Sequence, residues 1–314
     1  MGRRVLTMAS LVVQLTSSAC DPLGGVPRDD GARPIVIDAG PSLQNPCFTS
    51  AESLLITRWL DGYNGAPAVV ATIELAGGAL EVLTDADATS VNLPGACSSA
   101  AAARWVFSSD VGGDHDEIFV APLGSDDAVQ ITDRADAMAF EPSISPDGAW
   151  VVFESHPLDV EGEGALFKVH VDGSELTELT DGSGDDRQPN WSPAGDAIVF
   201  QSHARVPGNI ELFLIDADGG EPENFTDSPW EDTDASFSPD GEWVVYSSNE
   251  GDLELASLFV RPVDGGPAER LTNADGWYDG APAWSPDGDV IAFEARAGDP
   301  DGSEGTALFL VDAP

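Results

Sequence analysis

Residues 281–293 read Ala-Pro-Ala-Trp-Ser-Pro-Asp-Gly-Asp-Val-Ile-Ala-Phe, and variants of this stretch return at regular intervals along the chain. Its Ser-Pro-Asp-Gly segment begins at Ser285, and corresponding segments begin at Ser145, Ser192 and Ser238. A second mark, an apolar residue followed by Thr and then Asp or Asn, begins at Leu83, Ile131, Leu179, Phe225 and Leu271. Two marks that share one period of 46 to 48 residues indicate a repeat architecture.

Each repeat predicts four short strands. In the unit 186–227 the predicted strands cover residues 188–191, 197–201, 211–215 and 223–226. They are rich in β-branched and aromatic residues and are bounded by Gly, Pro and Asp, as strands usually are. The Ser-Pro-Ala-Gly segment suits a tight turn, because Pro presets φ and Gly tolerates a positive φ. Four-stranded units of this length are typical of β-propeller blades.

These blade sequences resemble the TolB-type (WD-repeat-like) β-propeller family over roughly residues 40–314. The resemblance implies a propeller fold, here expected without the separate N-terminal domain that TolB carries. First strands are expected near Pro46, Pro94, Pro142, Pro189, Asp234 and Ala281. The sequence therefore predicts an all-β, six-bladed propeller of four-stranded antiparallel blades over residues 34–314.

The last repeat lacks a fourth strand of its own, while residues 33–38 (Arg-Pro-Ile-Val-Ile-Asp) form an unassigned strand at the other end of the propeller. An exposed strand edge invites wrong pairing, and a closed ring removes it. We therefore expect this N-terminal strand to complete the last blade and close the propeller.

The N-terminus reads as an export signal. Arg3 and Arg4 precede an apolar stretch at 5–15 that is too short for a membrane-spanning helix, so residues 1–19 are predicted to be a signal peptide. The segment ending at Cys20 resembles a bacterial lipobox, which implies lipidation of Cys20; plain secretion with cleavage near Ala19 is the alternative. Residues 20–33 are then the lipidated Cys and a flexible tether. We expect a periplasmic or cell-envelope protein that contacts the membrane only through its lipid anchor.

The net charge of the chain limits the classes of ligand that it is expected to bind. The chain carries 13 basic and 56 acidic residues, a formal charge of −43, which disfavours nucleic acid and anionic lipid surfaces as ligands.

An oxidising compartment allows a disulfide between Cys47 and Cys97. The alternative is a pair of buried free thiols.

One face of the propeller is the candidate binding face. The Ser-Pro-Asp-Gly turns share one face, and the longer connections from second to third strand share the other, where binding loops are expected. One repeat position, three residues after the aromatic residue of the second strand, carries Asp110, His156, His203, Asn249 and Arg296. His156 and His203 are candidate neighbouring metal ligands. The alternative is that these polar residues cap strand ends.

The acidic residues on the same face have three interpretations. They form a solvated surface, a docking face for a basic partner steered by charge, or a calcium site. The calcium hypothesis rests on Asp299, Asp301 and Glu304, which faintly resemble a calcium loop. No cofactor is required by the sequence, and calcium is the one that it permits.

The sequence favours a binding protein over an enzyme. It contains no G-x-S-x-G, H-E-x-x-H, C-x-x-C or G-x-x-x-x-G-K-[ST] motif. We therefore expect a monomeric, non-catalytic envelope scaffold whose partner is an envelope protein with a basic surface. The alternatives are a glycan- or small-molecule-active lyase or hydrolase that uses a funnel on the acidic face, and a calcium-stabilised structural protein of the envelope.

Overall fold

The computed structural model of the chain describes residues 28–35, 42–62, 67–76, 80–84, 91–92, 98–99, 101–111, 113–125, 127–160, 162–203, 205–298 and 305–314. Every regular element in these ranges is a β-strand. Within them there is accordingly no helix of the length and apolarity that a membrane crossing needs.

The strands form six antiparallel sheets, one for each blade. Blade 1 contains Ser42–Ser50, Ser53–Trp59, Ala68–Glu74 and Leu80–Val82. Blade 2 contains Val91–Asn92, Ser98–Ser99, Arg104–Ser109, Glu117–Pro122 and Val129–Gln130. Blade 3 contains Ala137–Ile144, Trp150–Pro157, Ala165–His170 and Thr177–Glu178. Blade 4 contains Asp186–Trp191, Ala197–Ser202, Glu211–Asp216 and Glu223–Asn224.

Blades 5 and 6 complete the ring. Blade 5 contains Asp232–Phe237, Trp243–Ser248, Ser257–Pro262 and Glu269–Arg270. Blade 6 contains Trp277–Trp284, Val290–Ala297 and Ala307–Asp312, together with Arg33–Pro34. The first strands of neighbouring blades contact one another in sequence order, and blade 6 contacts blade 1. The prediction of a six-bladed propeller is thus confirmed.

The predicted closing strand is also present. Arg33 and Pro34 pair antiparallel with Leu310 and Phe309 on the outer side of blade 6. Residues 36–38 of the predicted strand lie outside the described residues. The backbone N–H of Ile35 donates to the carbonyl of Leu308, which continues the ladder by one bond.

The Ser-Pro-Asp-Gly mark is a turn that ties the first strand to the second. In blade 3, Ser145 Oγ donates to Asp147 Oδ1 at 2.6 Å and accepts from the backbone N–H of Trp150 at 2.9 Å. Gly148 has φ +67°, which L-residues with a side chain seldom adopt. The same bonds recur in blades 5 and 6. The mark is therefore structural, which explains its repetition.

The Thr mark fastens the third strand to the segment that follows the fourth. Thr180 Oγ1 accepts from the backbone N–H of Leu166 at 3.0 Å, and Thr226 Oγ1 accepts from that of Leu212 at 3.1 Å. Equivalent bonds exist in blades 1, 2 and 5. Because the bond satisfies a buried backbone donor in each case, this mark also serves the fold.

Residues 28–33 belong to the segment whose composition predicts a flexible tether, and the structure places them against blade 6. The Arg28 guanidinium binds both oxygens of Asp279, at 2.5 and 3.0 Å, and Asp30 at 2.6 Å. It also lies 5.0–5.2 Å from the ring centroids of Trp277, Phe293 and Phe309. The side chains of Arg28 and Asp279 are 4% and 1% exposed, so this ion pair is buried.

Blade 4 contains the same arrangement made from its own residues. Arg205 binds Asp186 through Nε at 2.9 Å and Nη2 at 2.7 Å, and it lies over Phe200 and Phe213. Asp186 and Asp279 both stand six residues before the Ser of the Ser-Pro mark. The N-terminal segment therefore supplies to blade 6 the guanidinium that blade 4 takes from its loop.

Cys47 is buried and disulfide-bonded. The other two cysteines, Cys20 and Cys97, lie outside the described residues. The Cys47–Cys97 pairing therefore stays a prediction.

We predict that Arg28→Ala lowers the free energy of unfolding by about 3 kcal/mol, because it leaves the buried Asp279 carboxylate without its cation. Burial raises the pKa of Asp279, and the Arg28 guanidinium opposes that rise. Urea unfolding of the full chain measures the change.

The matched control is Arg33→Ala in the same segment. The Arg33–Asp312 pair is exposed, with side chains 53% and 75% accessible, so its loss is expected to cost at most about 1 kcal/mol. Equal losses for the two variants would contradict the role assigned to Arg28.

Candidate functional site

A vestibule of 540 Å³ opens on the face with the long loops. In blade 4 the second strand runs away from its Ser-Pro turn, so Gln201 and His203 lie at the opposite end of the sheet, beside Ile210 at the start of the third strand. These residues line the vestibule together with side chains from the other blades: Gln44, Asn45, Trp59, Glu141, Gln188, Thr233, Asp234, Tyr278, Ala281 and Glu294. A narrower cavity of 20 Å³ continues from it between the first strands.

A repeated bulge in the first strand lines this channel. In five blades the strand register shifts at one residue that has a positive φ of 43–55°, namely Asn45, Glu141, Gln188, Asp234 and Ala281. A bulge turns a side chain away from the regular alternation of the strand. All five residues line both the vestibule and the narrower cavity. The strained backbone therefore places a ring of different side chains around the axis.

The second strand of one blade holds the bulge of the next. Side-chain oxygens one residue after the second-strand aromatic accept backbone N–H groups from the following blade: Glu154 Oε2 from Gln188 at 2.7 Å, Gln201 Oε1 from Asp234 at 3.2 Å, and Glu294 Oε2 from Asn45 at 3.1 Å. These bonds fix the ring of channel residues. They also place carboxyl and amide groups beside the channel.

Two hydrogen bonds between side chains fix the groups at the vestibule wall. The indole Nε1–H of Trp59 donates to Gln44 Oε1 at 2.7 Å; because an indole nitrogen only donates, the amide oxygen of Gln44 must face it. Gln201 Oε1 is likewise taken by a backbone donor, so its Nε2 donates to His203 Nε2 at 3.0 Å. That bond leaves the proton of His203 on Nδ1. Burial, with a contribution from Arg187, lowers the pKa of His203, which favours this neutral form.

Two carboxyl groups in the vestibule are displaced toward their protonated forms. Burial raises the pKa of Glu294 to about 8, and the nearby Asp234 adds to the rise. Burial also raises the pKa of Asp234. At neutral pH Glu294 therefore carries a proton, and the wall is less negative than its composition indicates.

The five candidates of the repeat position have different surroundings. His203 lines the vestibule, and Arg296 is buried with its guanidinium 5.7 Å from the ring of Tyr278, which lines it too. His156 Nε2 lies 3.1 Å from Glu154 Oε1. Asn249 Oδ1 accepts from the backbone N–H of Glu231, and the Asp110 carbonyl accepts from Gly113 in its own loop. A binding role for these residues stays a prediction.

The metal hypotheses remain predictions as well. Asp299, Asp301 and Glu304, the candidate calcium ligands, lie outside the described residues. Across the ranges that the structure describes, no group of three or more His, Cys, Asp or Glu side chains is placed to hold a metal ion. His156 and His203 belong to no such group there.

The sequence did not reveal most of the vestibule residues. Gln44, Gln188 and Glu294 carry no recognisable motif, and Asp234 was expected as a position in a first strand. A positional signal did exist. One position precedes Pro46, Pro142, Pro189 and Pro282 in the first strand, with Asp234 before Ala235 in blade 5, and the other follows the aromatic residue of the second strand. Both positions vary in identity from blade to blade, as a binding site would require.

Comparisons with known proteins support the fold. No protein-family profile matches the chain. A segment of 62 residues is 40% identical to an uncharacterised protein of Agrobacterium fabrum, and it spans 20% of this chain and 20% of that protein. The chain thus matches only a fifth of the length of this curated relative.

Solved structures match over most of the chain. A protein assigned as TolB from Agrobacterium tumefaciens has a TM-score of 0.59 at 21% identity, covering 87% of this chain and 91% of that one. TolB from Acinetobacter baumannii has a TM-score of 0.62 at 16% identity, covering 83% of this chain and 64% of that one. An oligogalacturonate lyase in complex with manganese has a TM-score of 0.56 at 16% identity, covering 87% and 90%. At these identities the likeness establishes a TolB-type propeller fold, which the lyase shares.

We predict that Glu294→Gln flattens the pH dependence of stability. The folded-state pKa of about 8 exceeds the usual value of 4.5, so the folded chain keeps a proton that the unfolded chain loses. The contribution of Glu294 to stability is therefore fully present below pH 4.5 and is lost as the pH rises toward 8, with a slope approaching one proton. Urea unfolding at the two ends of this window measures the slope, which the variant should lose because its amide oxygen still accepts from Asn45.

Glu154→Gln is the control, because Glu154 occupies the same position in blade 3 and accepts an equivalent backbone bond. This variant is expected to retain the fall attributed to Glu294. An unchanged slope in Glu294→Gln would show that the proton resides elsewhere.

Proposed function

We propose that the chain is an exported, lipid-anchored scaffold of the cell envelope that binds its ligand through the long-loop face without making or breaking bonds in it. The observation that supports this most directly is the vestibule: side chains of several blades converge there at the mouth of the channel. The rest of the described chain forms the propeller itself, and its repeated Ser-Pro and Thr marks stabilise turns and strands. Loops on a rigid scaffold are the usual place for binding.

The charge of the chain indicates the kind of protein partner. A formal charge of −43 speeds encounter with basic surfaces and slows encounter with acidic ones. Acidic side chains on the long-loop face, such as Asp159, Glu163 and Asp252, add to this field. We propose an envelope protein with a basic surface as the partner, bound by a monomer of this chain.

A glycan-active enzyme is the second candidate. It is favoured by Glu294 and Asp234, two carboxyl groups that interact in the vestibule, because glycoside-cleaving sites use a carboxyl pair of which one member carries a proton. Turnover of an envelope glycan that Glu294→Gln abolishes would favour this candidate over the scaffold.

A photoreactive amino acid placed at position 203 of the full chain is predicted to cross-link to an envelope partner in the living cell. The same residue at position 240, in a Ser-Pro turn on the opposite face, serves as the matched control and should give no such product. High salt is expected to reduce the yield, because it screens charge steering. Equal cross-linking from both positions, or from 240 alone, would contradict the assignment of the binding face.

Cys20→Ser is predicted to move the exported chain from the detergent phase to the aqueous phase in a detergent-partition experiment, because the acyl chains supply its membrane affinity. An intact chain that already partitions into water would contradict lipidation and leave plain secretion as the explanation.

A further inference from the structure

Hydrogen-bonding groups in the channel wall point to the chemistry of the ligand. Gln44 is 4% exposed, and its Nε2 has no hydrogen-bond partner within the described part of the chain. Asn190 is 7% exposed; its Nδ2 donates to the Ala235 carbonyl at 2.7 Å, and its Oδ1 has no partner in the same ranges. Gln188 Oε1 likewise has no hydrogen-bond partner in these ranges. A buried polar group without a partner is costly, so each of these atoms needs a partner from outside the chain, which a water molecule or a ligand can supply.

The assignment of donors and acceptors is fixed by the bonds that the amides already make. Gln44 must present its NH2, because Trp59 occupies its oxygen. Asn190 must present its oxygen, because its nitrogen already donates. The vestibule therefore offers the NH2 of Gln44 as a buried donor and Gln188 Oε1 as a buried acceptor, and His203 adds a donor at Nδ1. Asn190 lines only the narrower cavity of 20 Å³, where there is room for about one water molecule. Hydroxyl groups suit this mixture, since each one both donates and accepts.

Charged ligands fit the same wall less well. A carboxylate or phosphate would face Glu141, in a chain of net charge −43. A metal ion or an ammonium group would be attracted by Glu141 but would leave the NH2 of Gln44 without an acceptor. An uncharged ligand with several hydroxyl groups can pair with the donor and with the acceptors alike.

The aromatic residues of the vestibule fit the apolar faces of a sugar ring. Trp59 and Tyr278 both line it, and the indole is held in place by its bond to Gln44. Aromatic rings offer large rigid surfaces for C–H groups while their polar atoms stay hydrogen-bonded. The volume of 540 Å³ lies within the usual range of small-molecule sites.

We infer that the vestibule is a binding site for an uncharged sugar, with Gln44, Gln188 and His203 as hydrogen-bonding groups and Trp59 as the stacking surface. The inference goes beyond the proposed function, because it adds a sugar ligand to the protein partner that the same face is proposed to bind.

Isothermal titration of the full chain tests the inference with neutral trisaccharides: maltotriose, cellotriose, mannotriose and galactotriose. Trigalacturonate is the charged counterpart of galactotriose. At least one neutral sugar is expected to bind with a Kd on the order of millimolar or tighter, and trigalacturonate is expected not to bind. Failure of every neutral sugar, or binding of the uronate alone, would overturn the inference.

Variants locate the site. Gln44→Met is expected to weaken sugar binding about tenfold, in keeping with the loss of one good hydrogen bond. Gln130→Met is the matched control, because Gln130 is exposed on the outer strand of blade 2. His203→Phe serves as a second test should Gln44→Met unfold. Sugar binding that neither vestibule variant weakens would overturn the inference.

The outcomes separate this inference from the proposed function. Cross-linking from position 203 without sugar binding would leave the scaffold standing and remove the sugar. A neutral sugar that binds and is then cleaved, detected by chromatography of the titrated sample, would retain the ligand class and contradict the non-catalytic scaffold.

Discussion

Closure of the ring depends on residues that precede the first blade. Arg33–Pro34 supplies the outer strand of blade 6, and Arg28 places its guanidinium on the buried Asp279. Without this segment the edge of Ala307–Asp312 would be exposed and Asp279 would lack its cation. Blade 4 contains the same contact, between Arg205 and Asp186, made from its own residues, whereas in blade 6 a distant segment of the chain supplies the guanidinium.

A closed ring determines the shape of the channel. First strands of five blades line one channel, and their bulges turn unlike side chains toward it. Three of these bulges are held in position because their backbone N–H groups donate to Glu154, Gln201 and Glu294 of the preceding blade. The repeated residues therefore stabilise turns and strands, and two variable positions in the repeat are left to form a site.

The repeats predicted the fold because turn and strand chemistry is local. Ser145, Asp147 and Gly148 are close together in the sequence and form one turn in the structure, so this turn could be recognised from the sequence alone. The vestibule was not predictable in this way. Gln44 and Gln201 come from blades 1 and 4, and the direction of their side chains depends on bonds to Trp59 and to the backbone of Asp234. The packing of Arg28 was missed for the same reason, since the composition around it is that of a tether.

A crystal structure of the chain soaked with the tightest-binding neutral trisaccharide tests the account most directly. The account predicts a sugar ring against Trp59 in the vestibule, with a hydroxyl group within hydrogen-bonding distance of Gln44 Nε2. Sugar bound only on the Ser-Pro turn face, or a vestibule that stays without sugar while the ligand occupies another site, would contradict it.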